Sequence, residues 1–396
     1  MTAKLKLLYI MHSLAGGGAE RGGLTVLQSL DTNIFDINLG VINKEGPLIN
    51  DIPLGVRVIY VSPEKLINRL TAIRFPGRGM IESAIAVRKM INTVKPDVIV
   101  TVLPVVSLPM YVATFFTKKR EYTWVVREEN NTSATVGNIS SSYFLRKILR
   151  WMFQRAYSSA DYIATTSQGV KQGIISYLKL QPEKIQVMYL PIDVQNLRTR
   201  ASEEIDWTWD ESAILIAAGR ITEQKAYDVM LRAFAVVADK LSVRLVILGQ
   251  GPLEEKLKLL ATDLNIAGKV SFLGFVRNPW SYMSRSSAFV LSSRWEGFAR
   301  VIIEAMACGT PVVATDCDYG PGEIITDGEN GLLVPVDDVE ELAAALMRVL
   351  SNEDMSIDLS ERALQRSFDF DMSRIGKDFE DLLISTAPAT RRPPGL

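Results

Sequence analysis

Short apolar runs of strand length alternate with helix-length segments through each half of this chain, and no other feature restricts its fold class so tightly. Runs that are apolar throughout, rather than at every second residue, need cover on both faces. The intervening helices supply it, so each half is expected to form α/β layers around a parallel sheet. In the first half the runs fall near Leu5 to His12, Ile37 to Ile42, Val56 to Val61, Asp97 to Leu103, Thr123 to Arg127, Tyr162 to Thr166 and Ile185 to Leu190. In the second they fall near Ala213 to Gly219, Arg244 to Gly249, Val270 to Gly274, Ala288 to Ser292, Pro311 to Thr315 and Gly331 to Val334.

A chain of 396 residues that is 47% apolar is long enough for two ordinary cores. Pro191 to Ser212 is polar, dotted with Trp and acids, and lacks periodicity, which places the linker there. The expected domains are 1–193 and 194–371. The tail 386–396, with three prolines and no apolar pattern, is expected to be disordered.

Two cysteines, Cys308 and Cys317, are too few for a disulfide framework, and with His12 as the single histidine a structural zinc site is not expected. A reducing, cytoplasmic setting follows. Met1 to Lys6 has no signal-peptide shape, and no apolar run approaches the roughly 20 residues of a spanning helix, so membrane contact is expected to be peripheral. The net charge of -1 conceals a division. Residues 1–196 hold 23 Lys and Arg against 14 acids, a balance of +9, while residues 197–396 hold 21 against 31, a balance of -10. A basic first half would be drawn to an anionic surface, either acidic lipid headgroups or a diphosphate-bearing acceptor, unless the split is chance between two solvated surfaces. No nucleic-acid partner is expected. Tyr143 to Arg155 reads as a basic amphipathic helix carrying Trp and Phe, with Arg69, Arg74, Arg78, Arg88 and Lys89 adding charge nearby. Such a helix either lies in a membrane interface or packs on the core with a basic outer face.

The stretch Ser293 to Ala314 carries the strongest chemical signal. Glu296 follows an apolar run, which places it in the loop at a strand's C-terminal end, where open parallel sheets bind ligands. Glu304 lies two helical turns further on, near the same face. Backbone N–H groups at the helix start, from Gly297 through Phe298 and Ala299 to Arg300 and Val301, could receive an anion between the acids. Carboxylates accept hydrogen bonds from hydroxyls, so this arrangement suits a polyhydroxylated phosphate ester. Gly219-Arg220-Ile221-Thr222-Glu223-Gln224-Lys225 ends a strand in glycine and adds two cations five residues apart, which could neutralise a departing diphosphate. Gly16, Gly17 and Gly18 open a helix after the first strand, but their spacing misses the G-x-G-x-x-G dinucleotide pattern. Asp316-Cys317-Asp318 and Asp369-Phe370-Asp371 have D-x-D spacing, too common a pattern to imply a metal.

The Glu296 to Pro311 block resembles the E-x7-E region of retaining glycosyltransferases of family 4. Gly16 to Arg21 resembles that family's G-G-A-E-R loop, and Gly219 to Ala226 its G-R-x4-K-G element, with Ala226 in place of the last glycine. Gly249-Gln250-Gly251-Pro252 resembles its G-x-G-P turn, and Val270 to Phe275 the strand whose end, at Gly274, meets the nucleotide base. The resemblance implies the GT-B fold, two Rossmann-like domains with parallel sheets facing across a cleft, and a C-terminal helix, near 372–385, returning to the first domain. It implies that Glu296 holds the donor sugar and Glu304 the ribose, that Arg220 and Lys225 stabilise the leaving diphosphate, and that no metal or other cofactor is required. Tyr319-Gly320-Pro321-Gly322-Glu323-Ile324 resembles members using UDP-hexoses or UDP-N-acetylhexosamines, with GDP-mannose left open. The acceptor would be a glycan, lipid-diphosphate-linked or soluble, approached from the side of His12, Arg127 and Glu128. The family's histidine after the fifth strand is absent: the chain reads Val126-Arg127-Glu128-Glu129 there. A sugar-nucleotide epimerase, a sugar phosphorylase and a non-catalytic nucleotide-sugar-binding partner are the alternatives.

Overall fold

The computed structural model describes residues 4–43, 46–61, 78–115, 120–139, 142–206 and 213–392. Arg69, Arg74 and the side chain of Arg78, expected to add to a basic surface, lie outside the described residues. The chain divides into two compact units, Met1–Pro191 with Met372–Leu396, and Ile192–Asp371.

The first unit is built on seven parallel strands in the order β3-β2-β1-β4-β5-β6-β7. They are β1 (Leu5–Met11), β2 (Phe35–Val41), β3 (Arg57–Tyr60), β4 (Val98–Val102), β5 (Thr123–Glu128), β6 (Tyr162–Thr165) and β7 (Ile185–Val187). The central β1, with sequence LKLLYIM, exposes only Lys6 and sets Leu7 opposite Ile37 on one side and Val98 on the other. Strand order reverses between β1 and β4, so the crevice of this unit opens at their C-terminal ends.

The helix Met372–Thr386 belongs to this unit. Its Gly376 lies so close to the helix Gly18–Ser29 that an added Cβ would stand 2.4 Å from the Cβ of Ser29. Glu380 accepts the Asp31 N–H at 2.9 Å, and the Thr386 carbonyl accepts the Thr123 hydroxyl at 2.7 Å. Of the tail expected to be disordered from Thr386, residues up to 392 are described and take regular positions, and 393–396 lie outside the described residues. Ala387 is buried, Ala389–Arg391 forms a 3-10 turn, and Arg391 Nε stands 3.5 Å from Asp97 Oδ1.

Successive residues of a strand face opposite sides of the sheet, and the end of β5 puts a charge on each. The Arg127 guanidinium donates to the Tyr9 hydroxyl, stands 3.1 Å from Glu129 Oε1 and covers the Phe379 ring at 5.4 Å. On the other face Glu128 accepts the N–H groups of Glu129 and Asn130, each at 3.0 Å, and the hydroxyl of Tyr157. Both side chains are buried, at 1% and 0% exposure. Expected on the acceptor side, they are held by internal partners that fix β5 between its helices.

The second unit has six parallel strands in the order β10-β9-β8-β11-β12-β13. They are β8 (Ala213–Ala218), β9 (Val243–Leu248), β10 (Val270–Gly274), β11 (Ala288–Leu291), β12 (Val312–Thr315) and β13 (Leu332–Val334). Leu215, Phe234, Ile247, Val290 and Leu346 lie in its core. The order reverses between β8 and β11, which places this unit's crevice beyond Ala218 and Leu291. The segment expected to be a linker instead contains the helix Val194–Ala201, capped by the Asp193 carboxylate on the Asn196 N–H at 2.9 Å. Val194, Leu197 and Ala201 are buried, and the Ala201 carbonyl accepts the Ser284 hydroxyl at 3.0 Å. Three apolar positions on so short a helix are too few to show as a period in sequence.

Two outcomes test this packing. Gly376→Ala should destabilise the first unit by about 1–3 kcal/mol through overpacking against Ser29, seen as a lower denaturation midpoint; an unchanged midpoint would contradict the close approach. Burial, only partly offset by its hydrogen bonds, pushes the Glu128 carboxyl up to about 7. The folded state therefore holds that proton more tightly than the unfolded chain does. The associated stability is present below the ordinary glutamate range and is lost as pH rises through about 7. Urea denaturation from pH 5 to 8 should show that decline in wild type and a flatter profile in Glu128→Gln.

Candidate active site at the strand ends of the second unit

The chain leaves β8 through Gly219, whose N–H bonds to the Leu248 carbonyl at 2.9 Å, and runs beside the β9 loop, where the Ile221 N–H meets the Gln250 carbonyl at 3.0 Å. A Cβ on Gly249 would stand 2.0 Å from the Gly219 carbonyl oxygen, and one on Gly251 2.2 Å from that of Ile221. Only glycines allow the two loops this near. Gly274 ends β10 at φ 69° and accepts the Gly249 N–H at 2.7 Å. Gly219, Gly251 and Gly274 therefore serve the close packing of three strand ends.

Arg220 is exposed, while the chain beyond it makes a 3-10 turn at Glu223–Lys225. Ala226 follows in the left-handed conformation, φ 46° and ψ 43°, which explains why glycine suits this position. The turn directs Lys225 past the bare Cα of Gly219, where a Cβ would come within 3.1 Å of Lys225 Cε. Its ammonium reaches Glu296 Oε1 at 2.6 Å, and the Ser293 hydroxyl donates to the same oxygen at 2.6 Å. Glu296 and Lys225 are largely buried, with side chains 7% and 15% exposed.

The loop after β11 is fastened to the loop after β8 at several points. The Ser292 hydroxyl donates to the Lys225 carbonyl at 2.8 Å, the Arg294 N–H to the Gln224 carbonyl at 2.8 Å, and Gln224 Nε2 to the Trp295 carbonyl at 3.0 Å. Arg294 extends the attachment through Asp228 at 3.0 Å and Asp337 at 2.8 Å. Burial would raise the Asp228 carboxyl, but the bonds and charge of Arg294 outweigh it and hold the group below its ordinary value. Ser293, Arg294, Gln224 and Asp228 were not expected from sequence. Their signal, opposite charges beside two strand ends, becomes readable only once β8 and β11 are known to be neighbours.

The helix Arg300–Ala307 starts from Ala299, again left-handed at φ 61°. Gly320 approaches within a distance that would put a Cβ 2.6 Å from the Phe298 carbonyl carbon. The Phe298 ring packs edge-on against Phe370, centroids 5.5 Å apart, so its side chain serves the core and only its backbone faces the helix start. Val301 is half-buried. Glu304 is not a bare acid: Arg300 Nε stands 3.0 Å from Glu304 Oε1, with both side chains under 10% exposed.

The D-x-D pairs have structural partners. Asp318 uses its carbonyl to accept the Glu296 N–H at 3.2 Å, the Asp371 carboxylate accepts the Val194 N–H at 3.2 Å, and Asp369 pairs with Arg366 at 2.8 Å. Among the described residues no group of three or more His, Cys, Asp and Glu gathers where a metal could bind. Burial, reinforced by the charge of Glu296, pushes the Cys317 thiol up to about 12, which removes it as a nucleophile.

In the first unit His12 is exposed at the end of β1, and its carbonyl accepts the Asn43 N–H at 2.7 Å. Gly16 takes φ 95°. A Cβ on Gly17 would stand 2.5 Å from Glu20 Oε2, so the Glu20 carboxylate folds back over the start of its own helix, with Ser13 Oγ 3.3 Å from its other oxygen. An acid at that end satisfies the helix dipole.

Two family models cover nearly the whole chain: Glycosyltransferase Family 4 matches residues 17–196 and Glycosyl transferases group 1 matches residues 201–366. The chain is similar to an N-acetylgalactosamine-N,N'-diacetylbacillosaminyl-diphospho-undecaprenol 4-alpha-N-acetylgalactosaminyltransferase of Campylobacter jejuni, 28% identical over 94% of this chain and 98% of that one. It is also similar to a second Campylobacter jejuni enzyme, a GalNAc-alpha-(1->4)-GalNAc-alpha-(1->3)-diNAcBac-PP-undecaprenol alpha-1,4-N-acetyl-D-galactosaminyltransferase, 24% identical over 96% of this chain and 98% of that one. Among solved structures, Anabaena Alr3699/HepE in complex with UDP and glucose superposes with a TM-score of 0.77 at 20% identity, covering 96% of this chain and all of that one, a likeness of fold. With its two parallel-sheet units and both halves matched, the chain belongs to the GT-B glycosyltransferases of group 1 and family 4.

Proposed function

We propose that this glycosyltransferase is a retaining enzyme that moves a sugar from a nucleoside-diphosphate sugar to a hydroxyl of a lipid-diphosphate-linked glycan in surface polysaccharide or glycoconjugate biosynthesis. The favoured donor is a UDP-hexose or UDP-N-acetylhexosamine, with GDP-mannose second. The reaction would take place on the cytoplasmic face of the membrane holding the acceptor. Both Campylobacter relatives carry undecaprenol-linked acceptors in their names, which supports that acceptor class. The chain has no described helix long and apolar enough to cross a membrane.

The observation that carries this reading is the 2.6 Å contact of Lys225 with Glu296 at the strand-order reversal of a parallel sheet. It joins a cation suited to a leaving diphosphate to an acid suited to sugar hydroxyls. In the reaction proposed, the bond from the anomeric carbon to the diphosphate oxygen breaks while the acceptor oxygen bonds to the same face of that carbon. The acceptor proton passes to a departing phosphate oxygen. Arg220 and Lys225 meet the negative charge that grows on the diphosphate, which gives that charge a counterpart without requiring a metal. Glu296 orients the sugar. Glu304, held by Arg300, would receive the ribose hydroxyls. Arg127 and Glu128, being buried, would act on the acceptor side only by holding β5, with His12 the exposed group at the end of β1, on the far side of β4.

Thermal-shift titration with UDP-, GDP- and ADP-sugars, with and without EDTA, should give a stabilisation specific to one nucleotide class and unaffected by chelation. No shift with any of them would overturn the reading. Lys225→Ala and Glu296→Gln, assayed below the melting temperature of each variant, should each lower turnover about 100-fold or more, and wild-type turnover in both would remove these residues from the site.

A further inference from the structure

The helix Tyr143–Ser159 turns an unusual face outward. Its inner side is marked by the buried Phe153, Ala156 and Tyr157. At about 100° per residue the opposite side carries Phe144, Lys147, Ile148, Trp151 and Arg155. The outer face of a helix on a water-soluble domain is ordinarily polar. Here Phe144 is 72% exposed and Trp151 54%. The cations lie against aromatic rings rather than acids: Lys147 Nζ is 4.6 Å from the Tyr143 ring centroid and Arg155 Cζ 5.6 Å from that of Trp151. The helix contains four Lys and Arg and no Asp or Glu. The helix Thr132–Ile139, packed beside it, ends on Ile139, another exposed apolar side chain.

We propose that this face docks on an anionic lipid bilayer, with the helix lying in the interfacial plane. Phe144, Ile148 and Trp151 would enter the boundary between headgroups and acyl chains, while Lys147 and Arg155 remain among the phosphates. Charge selects this occupant over a second copy of the chain. An isologous contact would bring two basic faces together, whereas a bilayer supplies both the apolar layer and the opposite charge. The inference extends the functional reading by naming the surface that meets the acceptor's membrane. It uses that reading only for the choice of a membrane, and vesicle binding is measured without donor or acceptor, so either can fail alone.

The full chain would be sedimented with vesicles of phosphatidylcholine alone and of phosphatidylcholine with phosphatidylglycerol. Binding should be confined largely to the anionic vesicles and should weaken roughly fivefold for each of Lys147→Gln and Arg155→Gln. Phe144→Ser combined with Trp151→Ser should reduce binding about tenfold or more. Because both side chains are more than half exposed, that double variant should keep the wild-type melting temperature. Equal binding to both vesicle types, or wild-type binding by the double variant, overturns the proposal. So does loss of a dimer in the double variant with no vesicle binding by wild type, which would make the face a contact between copies.

Discussion

The contact of Lys225 with Glu296 is the constraint on which the second unit's site depends. A carboxylate buried to 7% exposure needs a compensating charge, and here the cation comes from a different loop 71 residues away in sequence. Their pairing fixes the β8 loop against the β11 loop. The bonds of Ser292, Gln224 and Arg294 then act between parts already brought together. Removing either partner would leave a largely buried charge without its match, so this pair has structural as well as chemical consequences.

The backbone around the pair is built to the same purpose. Ala226 and Ala299 both take left-handed conformations, at φ 46° and 61°, immediately after Lys225 and immediately before the helix that carries Glu304. Such conformations cost an alanine roughly 1–2 kcal/mol, and they persist only where surrounding contacts determine them. The contacts are identifiable: Ser292 Oγ lies 3.1 Å from the Ala226 carbonyl, and Gly320 presses against the Phe298 backbone. Strain in these two turns aims Lys225 and the start of the helix Arg300–Ala307.

Much of this was legible in sequence, for a physical reason. Every apolar run named as a strand overlaps one, because strands buried on both faces must be apolar throughout and so stand out from their surroundings. Glu296 could be placed because it comes in the short loop after such a run. The failures share a cause as well. The helix Val194–Ala201 has three buried positions, too few to establish a period. Arg127 and Glu128 look like exposed ligands until Tyr9, Phe379 and Tyr157 are folded onto them from distant parts of the chain. The attachment of Arg294 to Asp228 and Asp337 likewise depends on sheet order, which local composition does not encode.

Electrostatics distinguishes the three cations of the site. Glu296 is matched by Lys225 and Glu304 by Arg300, so each acid already has a positive neighbour at 2.6 Å and 3.0 Å. Arg220 is exposed and forms no ion pair among the described residues. An incoming dianion would therefore encounter two nearly neutral pairs and one uncommitted guanidinium, rather than two bare carboxylates that repel it. Pairing within the protein is thus what makes two acids compatible with an anionic ligand. In the function proposed, it would divide the work between Arg220, available from solution, and Lys225, whose charge would be shared between Glu296 and a phosphate once the ligand had displaced water from the crevice.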